Sequence, residues 1–153
     1  MAREEAAVEL HGKGCNCAQA VLGVFAPELG MGDEDALRIA TAFGAGMGRT
    51  GGVCGAVSGA CMVLGLHADM RRPEDKAAKD SAYARMQEFS GRFRGRHGEL
   101  SCTGLLGVDL QTAGGMAAAR EQNLFATRCN GFIRSAVQIL EDMIHVSTGE
   151  YDA

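Results

Sequence analysis

The stretch Cys129-Asn130-Gly131-Phe132-Ile133-Arg134-Ser135-Ala136-Val137-Gln138-Ile139-Leu140-Glu141-Asp142-Met143-Ile144 sets Cys129, Ile133, Ala136, Val137, Leu140 and Ile144 at intervals of three or four. That interval collects apolar side chains on one face of a helix. The same spacing recurs upstream. Ala78, Ala82, Met86, Phe89 and Phe93 mark the longest helix, opened by Arg72-Pro73-Glu74 and stopped near Gly95 or Gly98. Asp33 caps another that carries Ala36, Ala40, Phe43 and Met47, with Asp33, Glu34 and Asp35 suited to its dipole. Cys17, Val21 and Phe25, flanked by Ala18 and Leu22, mark one that Pro27 bends or ends, and residues 3–12 form a first short helix. Residues 54–66, rich in small side chains, predict a buried helix packed closely on its neighbours. A short apolar turn over 102–110 and a break at Gly114-Gly115 precede the final helix. Strict alternation is almost absent, so the expected fold is all-α. It is a single domain over 1–153, a compact bundle of about five or six helices with one Gly-rich loop.

A chain of 153 residues buries a sizeable core without cross-links, so its six cysteines are not needed as staples. Glycine takes 22 positions, about twice its usual share, against two prolines; this excludes a collagen or a Pro-rich linker and calls for local glycine roles. At 46% hydrophobic and 22% charged the chain is too apolar for disorder, and no apolar run approaches 18 residues, so no membrane span is expected. The balance of 19 acidic against 15 basic residues leaves a net charge of −4, no footprint for nucleic acid. Arg85, Arg92, Arg94, Arg96 and His97 form one basic cluster, read as a solvated helix face or a docking surface. Met1-Ala2-Arg3-Glu4-Glu5 lacks the start of a secretory signal, so a cytoplasmic, reducing setting is expected. In that setting thiols serve as ligands or reactive groups.

The cysteines stand at 15, 17, 54, 61, 102 and 129, and no pair has Cys-x-x-Cys spacing. Zinc ribbons, rubredoxin-like sites, bacterial ferredoxin runs and thioredoxin motifs all need that spacing. A shared site must therefore be assembled from distant segments. Cys17, Cys54, Cys102 and Cys129 each fall near the start of a predicted helix or turn, where free N–H groups stabilise thiolates. The competing reading is that free cysteine is a small hydrophobe, and it is preferred for Cys61, which lies among Ala60, Val63 and Leu64. Cys15 and Cys17 point roughly 200° apart on a helix, so both serve one site only if Cys15 precedes the helix.

Six glycines fall within Gly44-Ala45-Gly46-Met47-Gly48-Arg49-Thr50-Gly51-Gly52-Val53-Cys54-Gly55. Gly46-x-Gly48-x-x-Gly51 is formally a dinucleotide fingerprint, but no strand precedes it and no Gly-Lys-Ser/Thr follows. The better expectation is that the backbone at Gly51, Gly52 and Gly55 comes close to whatever Cys54 holds, with a plain interhelical loop as the alternative. Asp109, the one acidic residue in an apolar segment, is read as a turn or cap.

Gly14-Cys15-Asn16-Cys17-Ala18-Gln19-Ala20-Val21, then Cys54-Gly55-Ala56-Val57-Ser58-Gly59, then Cys102 before Leu105-Leu106-Gly107, then Cys129 opening the last helix, resemble the C_GCAxxG_C_C family of redox-active proteins. The resemblance covers nearly the whole chain. A similar cysteine module accompanies the split-Soret cytochromes, where it is associated with an iron–sulfur centre. It implies Cys17, Cys54, Cys102 and Cys129 as ligands, with Cys15 and Cys61 extra to the pattern. No Cys-x-x-Cys-His for covalent haem is present.

These observations support a helical redox protein with one iron–sulfur cluster, [2Fe–2S] first, exchanging electrons with an unidentified partner protein. One alternative is metal-free thiol/disulfide chemistry, in which Arg128 is the only cation adjacent to a candidate cysteine, although His11, His67, His97 or His145 can approach in space. The other is a zinc-stabilised structural or interaction module. His11 and His67 lie near predicted helix ends, where a cap or solvent contact is expected. No nucleophile, base and oxyanion set is visible for hydrolysis. Small-residue faces allow a homodimer.

Overall fold

The stripe that opens on Cys129 forms the last helix, Cys129–Met143, and Ile133, Ala136, Val137 and Leu140 are completely buried along it. A computed structural model describes residues 1–144; His145 and the rest of 145–153 lie outside the described residues. In chain order the elements are α1 (Arg3–Gly12), α2 (Cys17–Gly23), α3 (Asp33–Ala40), α4 (Gly44–Arg49), α5 (Gly55–Ala68), α6 (Lys76–His97), α7 (Cys102–Leu106), α8 (Ala113–Glu121), α9 (Leu124–Thr127) and α10 (Cys129–Met143). Short 3-10 turns occupy Pro27–Leu29 and Thr41–Phe43. Among the described residues the fold is all-helical, with one isolated antiparallel bridge between Val53 and Ser101. No described helix is long and apolar enough to cross a membrane.

Among the described residues eight helices of six residues or more replace the expected five or six, because α4 separates from α3 and a local cap starts α8 before the last helix; the shorter α7 stands where a turn was expected. Ser101 Oγ accepts from Gly104 N at 3.0 Å and starts α7. Thr112 Oγ1 accepts from Gly115 N at 2.9 Å and starts α8, which runs straight through Gly114-Gly115. The expected break is absent; Gly115 is small because a Cβ there would stand 1.8 Å from Asp109 O. The longest helix begins at Lys76 rather than at Pro73, with Asp75 Oδ1 accepting from Ala78 N at 3.0 Å. α3 has Gly32, not Asp33, at its N-cap and ends at Ala40. Met47 therefore leaves the stripe and is 41% exposed. Asp109 holds a turn as expected: its Oδ1 accepts from Gln111 N at 2.9 Å and its carbonyl from Thr112 Oγ1 at 3.0 Å.

At the centre lies α2, whose Ala18, Ala20, Val21 and Leu22 are fully buried and which packs on α5, α1, α3 and α10. Its closest partner is α5, and glycine permits the approach. A Cβ at Gly59 would stand 2.9 Å from Ala18 O, and one at Gly55 3.0 Å from Ala18 N and Cys17 Cβ. Gly55 and Gly59 lie one turn apart, so the two backbones meet along a single small-residue face. α6 covers the far side of α5 and also touches α10, burying Phe89 and Phe93. Buried Arg3 ties α1 to the end of α2: Nη1 donates to Val24 O at 2.6 Å, and its guanidinium lies 4.5 Å above the centre of the Phe25 ring.

Candidate functional site

Each of the four family-pattern cysteines stands at a helix N-terminus: Cys17 on α2, Cys102 on α7, Cys129 on α10, and Cys54 as the cap of α5. Cys54 and Cys102 are registered by a short antiparallel ladder, in which Cys102 N donates to Gly52 O at 2.7 Å and Cys54 N to Leu100 O at 2.8 Å. Cys17 is set by a capping box. Asn16 Oδ1 accepts from Gln19 N and Gln19 Oε1 from Asn16 N, both at 2.9 Å. Asn16 Nδ2 also donates to Thr41 O at 2.9 Å, which anchors the start of α2 beyond the end of α3. Beside Cys129, Arg128 Nη1 donates to Leu105 O at 3.1 Å and Leu106 O at 3.2 Å, fastening α10 to the end of α7. Arg128 thus binds carbonyls, a structural use of the cation adjacent to Cys129.

All four cysteines are buried and line one cavity of about 210 Å³, whose walls include Leu105, Leu106, Met116, Phe125 and Phe132. Cys17 and Cys129 share a hydrogen bond, which together with burial raises the Cys17 pKa well above the ordinary thiol value. Burial pushes the Cys54 thiol up to about 12 although the Ala56 and Val57 N–H groups donate to its sulfur. Burial, then the neighbouring Cys129, pushes Cys102 up to about 11. Among the described residues no three Cys, His, Asp or Glu side chains form a group that holds a single metal ion.

The glycine loop adopts an uncommon form. Ala45, Gly46, Met47, Gly48 and Arg49 have φ of 54°, 68°, 62°, 66° and 68°, a full turn of left-handed helix. Such a turn costs roughly 1–2 kcal/mol for each non-glycine residue. Gly46 O stabilises it by accepting from Gly52 N at 2.9 Å and from Thr50 Oγ1 at 3.0 Å. A Cβ at Gly46 would stand 2.5 Å from Cys102 Cβ, and one at Gly51 2.4 Å from Thr103 Oγ1. The close approaches of Gly46 and Gly51 are therefore to the Cys102 segment. Gly55 lines the cavity; Gly51 and Gly52 stand outside its lining and act through the Cys102 ladder.

Residues 15–143 match the family described as "Putative redox-active protein (C_GCAxxG_C_C)". The chain belongs to this family. Its C_GCAxxG_C_C match spans all four cavity cysteines and starts at Cys15. No curated protein and no solved structure matches the chain.

The cavity does not gather every cysteine of this C_GCAxxG_C_C chain. Cys15, half-buried, lines a separate cavity of about 400 Å³ with Leu10, Val24 and Leu37. Cys61 is exposed rather than packed in the core, because the buried face of α5 runs through Ala56, Gly59, Ala60, Val63 and Leu64 and turns it outward. Two charged cavity residues carried no signal in the sequence, Arg49 and Arg120, while His11 is the one of the four histidines weighed that lines the cavity among the described residues. His11 is held by a 2.8 Å hydrogen bond between its Nδ1 and Asn130 Oδ1, from the helix that starts at Cys129. His97 instead serves packing, with Nε2 2.8 Å from Ser135 Oγ and its ring centre 4.7 Å from that of Phe93.

Proposed function

We propose that this protein binds an iron–sulfur cluster through Cys17, Cys54, Cys102 and Cys129 and transfers electrons to a partner protein, with [2Fe–2S] as the first candidate. The observation that carries this reading is the convergence of four buried cysteines, from four separate helix N-termini, on one cavity. The donor set fits the group. Sulfur is its usual ligand, helix N-termini favour the thiolate form, and the apolar wall limits water. A single tetrahedral zinc would draw on the same four cysteines, and colour and elemental analysis tell it from a cluster. A bound cluster supplies one-electron exchange at its irons. The Ala56 and Val57 N–H groups, donating to Cys54, raise its potential by stabilising charge on that sulfur.

The test is anaerobic reconstitution with iron and sulfide, read by visible absorption and by iron and sulfide content. Colour retained by C15S and C61S and lost by C17S, C54S, C102S and C129S is the expected result; a colourless wild type after reconstitution would overturn it.

The hydrogen bond between Cys17 and Cys129 favours a second reading, a metal-free dithiol. Joining the two sulfurs releases two protons and two electrons, which reduce a disulfide of a partner to two thiols by thiol–disulfide exchange. Thiol titration before and after reductant separates the readings: a gain of two thiols, abolished in C17S or C129S, supports the dithiol.

A further inference from the structure

The charge lining the cysteine cavity has one sign. Arg49 and Arg120 line it, and no aspartate or glutamate does. In a chain whose net charge is −4 this bias is not background. Elsewhere Arg38, Arg71, Arg92 and Arg134 each pair with a carboxylate, and Arg128 is committed to the α7 carbonyls. Among the described residues, the guanidinium groups of Arg49 and Arg120 belong to no ion pair and no hydrogen bond, and both residues are exposed and line the cavity.

We propose that Arg49 and Arg120 form a subsite for a small oxyanion at the mouth of the cysteine cavity. A guanidinium is a planar fork of donors that matches two oxygens of a carboxylate or of a tetrahedral oxyanion. The cavity of about 210 Å³ and its apolar neighbours Met116 and Phe125 restrict the ligand to a small one. The root of one fork is fixed by the left-handed turn, since Arg49 keeps φ at 68° and Gln111 Nε2 donates to Thr50 O next to it. Such a subsite holds a small anion beside the cysteine centre. In its use it rests on the redox reading; in its binding it rests on the arginines alone.

Calorimetric titration of the full chain with sulfate and with succinate, as purified anaerobically and again after metal removal, tests it, with chloride at matched ionic strength as the control. Saturable one-to-one binding of either oxyanion is expected, sulfate marking a tetrahedral ligand and succinate a carboxylate. R49Q and R120Q should each weaken it tenfold or more, and R94Q, on the exposed face of α6, should leave it unchanged. Unchanged thermal midpoints show that the variants are folded. Absence of saturable binding by both anions, or binding by R49Q and R120Q equal to wild type, overturns the inference. Anion binding by a protein that takes up no iron upholds the subsite while removing the cluster. Lower iron retention in R49Q and R120Q without anion binding by wild type does the reverse.

Discussion

At Gly46 two separate requirements meet in one residue. Its φ of 68° disfavours any L side chain, and a Cβ would stand 2.5 Å from the Cβ of Cys102. Gly48, two residues on, has φ of 66° but its nearest atom to such a Cβ is Ala42 O at 3.5 Å, an ordinary contact. G48A should therefore cost only the conformational term, about 1 kcal/mol. G46A adds overpacking against a cavity cysteine, for a total of roughly 2–4 kcal/mol. It should also lower iron retention by displacing Cys102, while G48A leaves retention intact. Urea unfolding and iron content of the two variants check this; equal losses would show that Gly46 answers to backbone geometry alone. Glycine density between 44 and 55 was legible in the sequence, but its partner was not. Nothing in the spacing distinguishes approach to Cys54 from approach to Cys102, which depends on the pairing of 52–54 with 100–102.

Among the helices, glycine has opposite effects at different faces. Gly59 on α5 sits against the backbone of Ala18 on α2, whereas Gly91 on α6 has nothing within 4 Å of where a Cβ would be. G59A should destabilise by about 1–3 kcal/mol, since backbone cannot yield as a side chain does. G91A should stabilise by about 0.5–1 kcal/mol through helix propensity. Thermal unfolding of the two variants should show midpoints moving in opposite directions. At the start of α2, N16A removes the capping box and the bond to Thr41 O; a loss of about 1 kcal/mol is expected, with Cys17 less well fixed. The long helices were readable because Phe89 and Phe93, or Ile133, Val137 and Leu140, repeat with helical period. The short ones were not, because α7 and α8 start on single Ser and Thr caps that look like turn residues. The left-handed α4 left no periodic trace, since its form is fixed by hydrogen bonds to Gly46 O rather than by an apolar face.

Over the whole molecule the cysteine centre is where folding and protonation are coupled. The convergence of Cys17, Cys54, Cys102 and Cys129 was legible as four helix starts. The approach of Arg49 and Arg120 was not, because it depends on how α4 and α8 pack and not on local pattern, and only the packing of α1 singles out His11 from the four histidines. That gathering has a consequence for pH. In the metal-free fold burial holds Cys54 near 12 and Cys102 near 11, above an unfolded thiol at about 8.5. The neutral form is favoured by folding, so the stabilisation is complete below about pH 8.5 and is lost as pH rises towards the folded values. The unfolded chain then binds fewer protons, and the slope of stability against pH is negative, at most about 1.4 kcal/mol per pH unit for each thiol. A metal-loaded protein reverses the sign: its cysteinates are already ionised when folded, so stability is complete above about 8.5 and falls as pH drops below it. Urea unfolding of both forms at pH 7, 8.5 and 10 should therefore give curves that diverge with pH, the loaded form gaining up to 8.5 and the metal-free form losing above it. Other groups of a protein also ionise in the alkaline range, so the comparison is made against C54A, in which the metal-free slope should become shallower. A slope unchanged in C54A would mean that this thiol ionises as readily in the fold as outside it, contrary to its burial at the cap of α5.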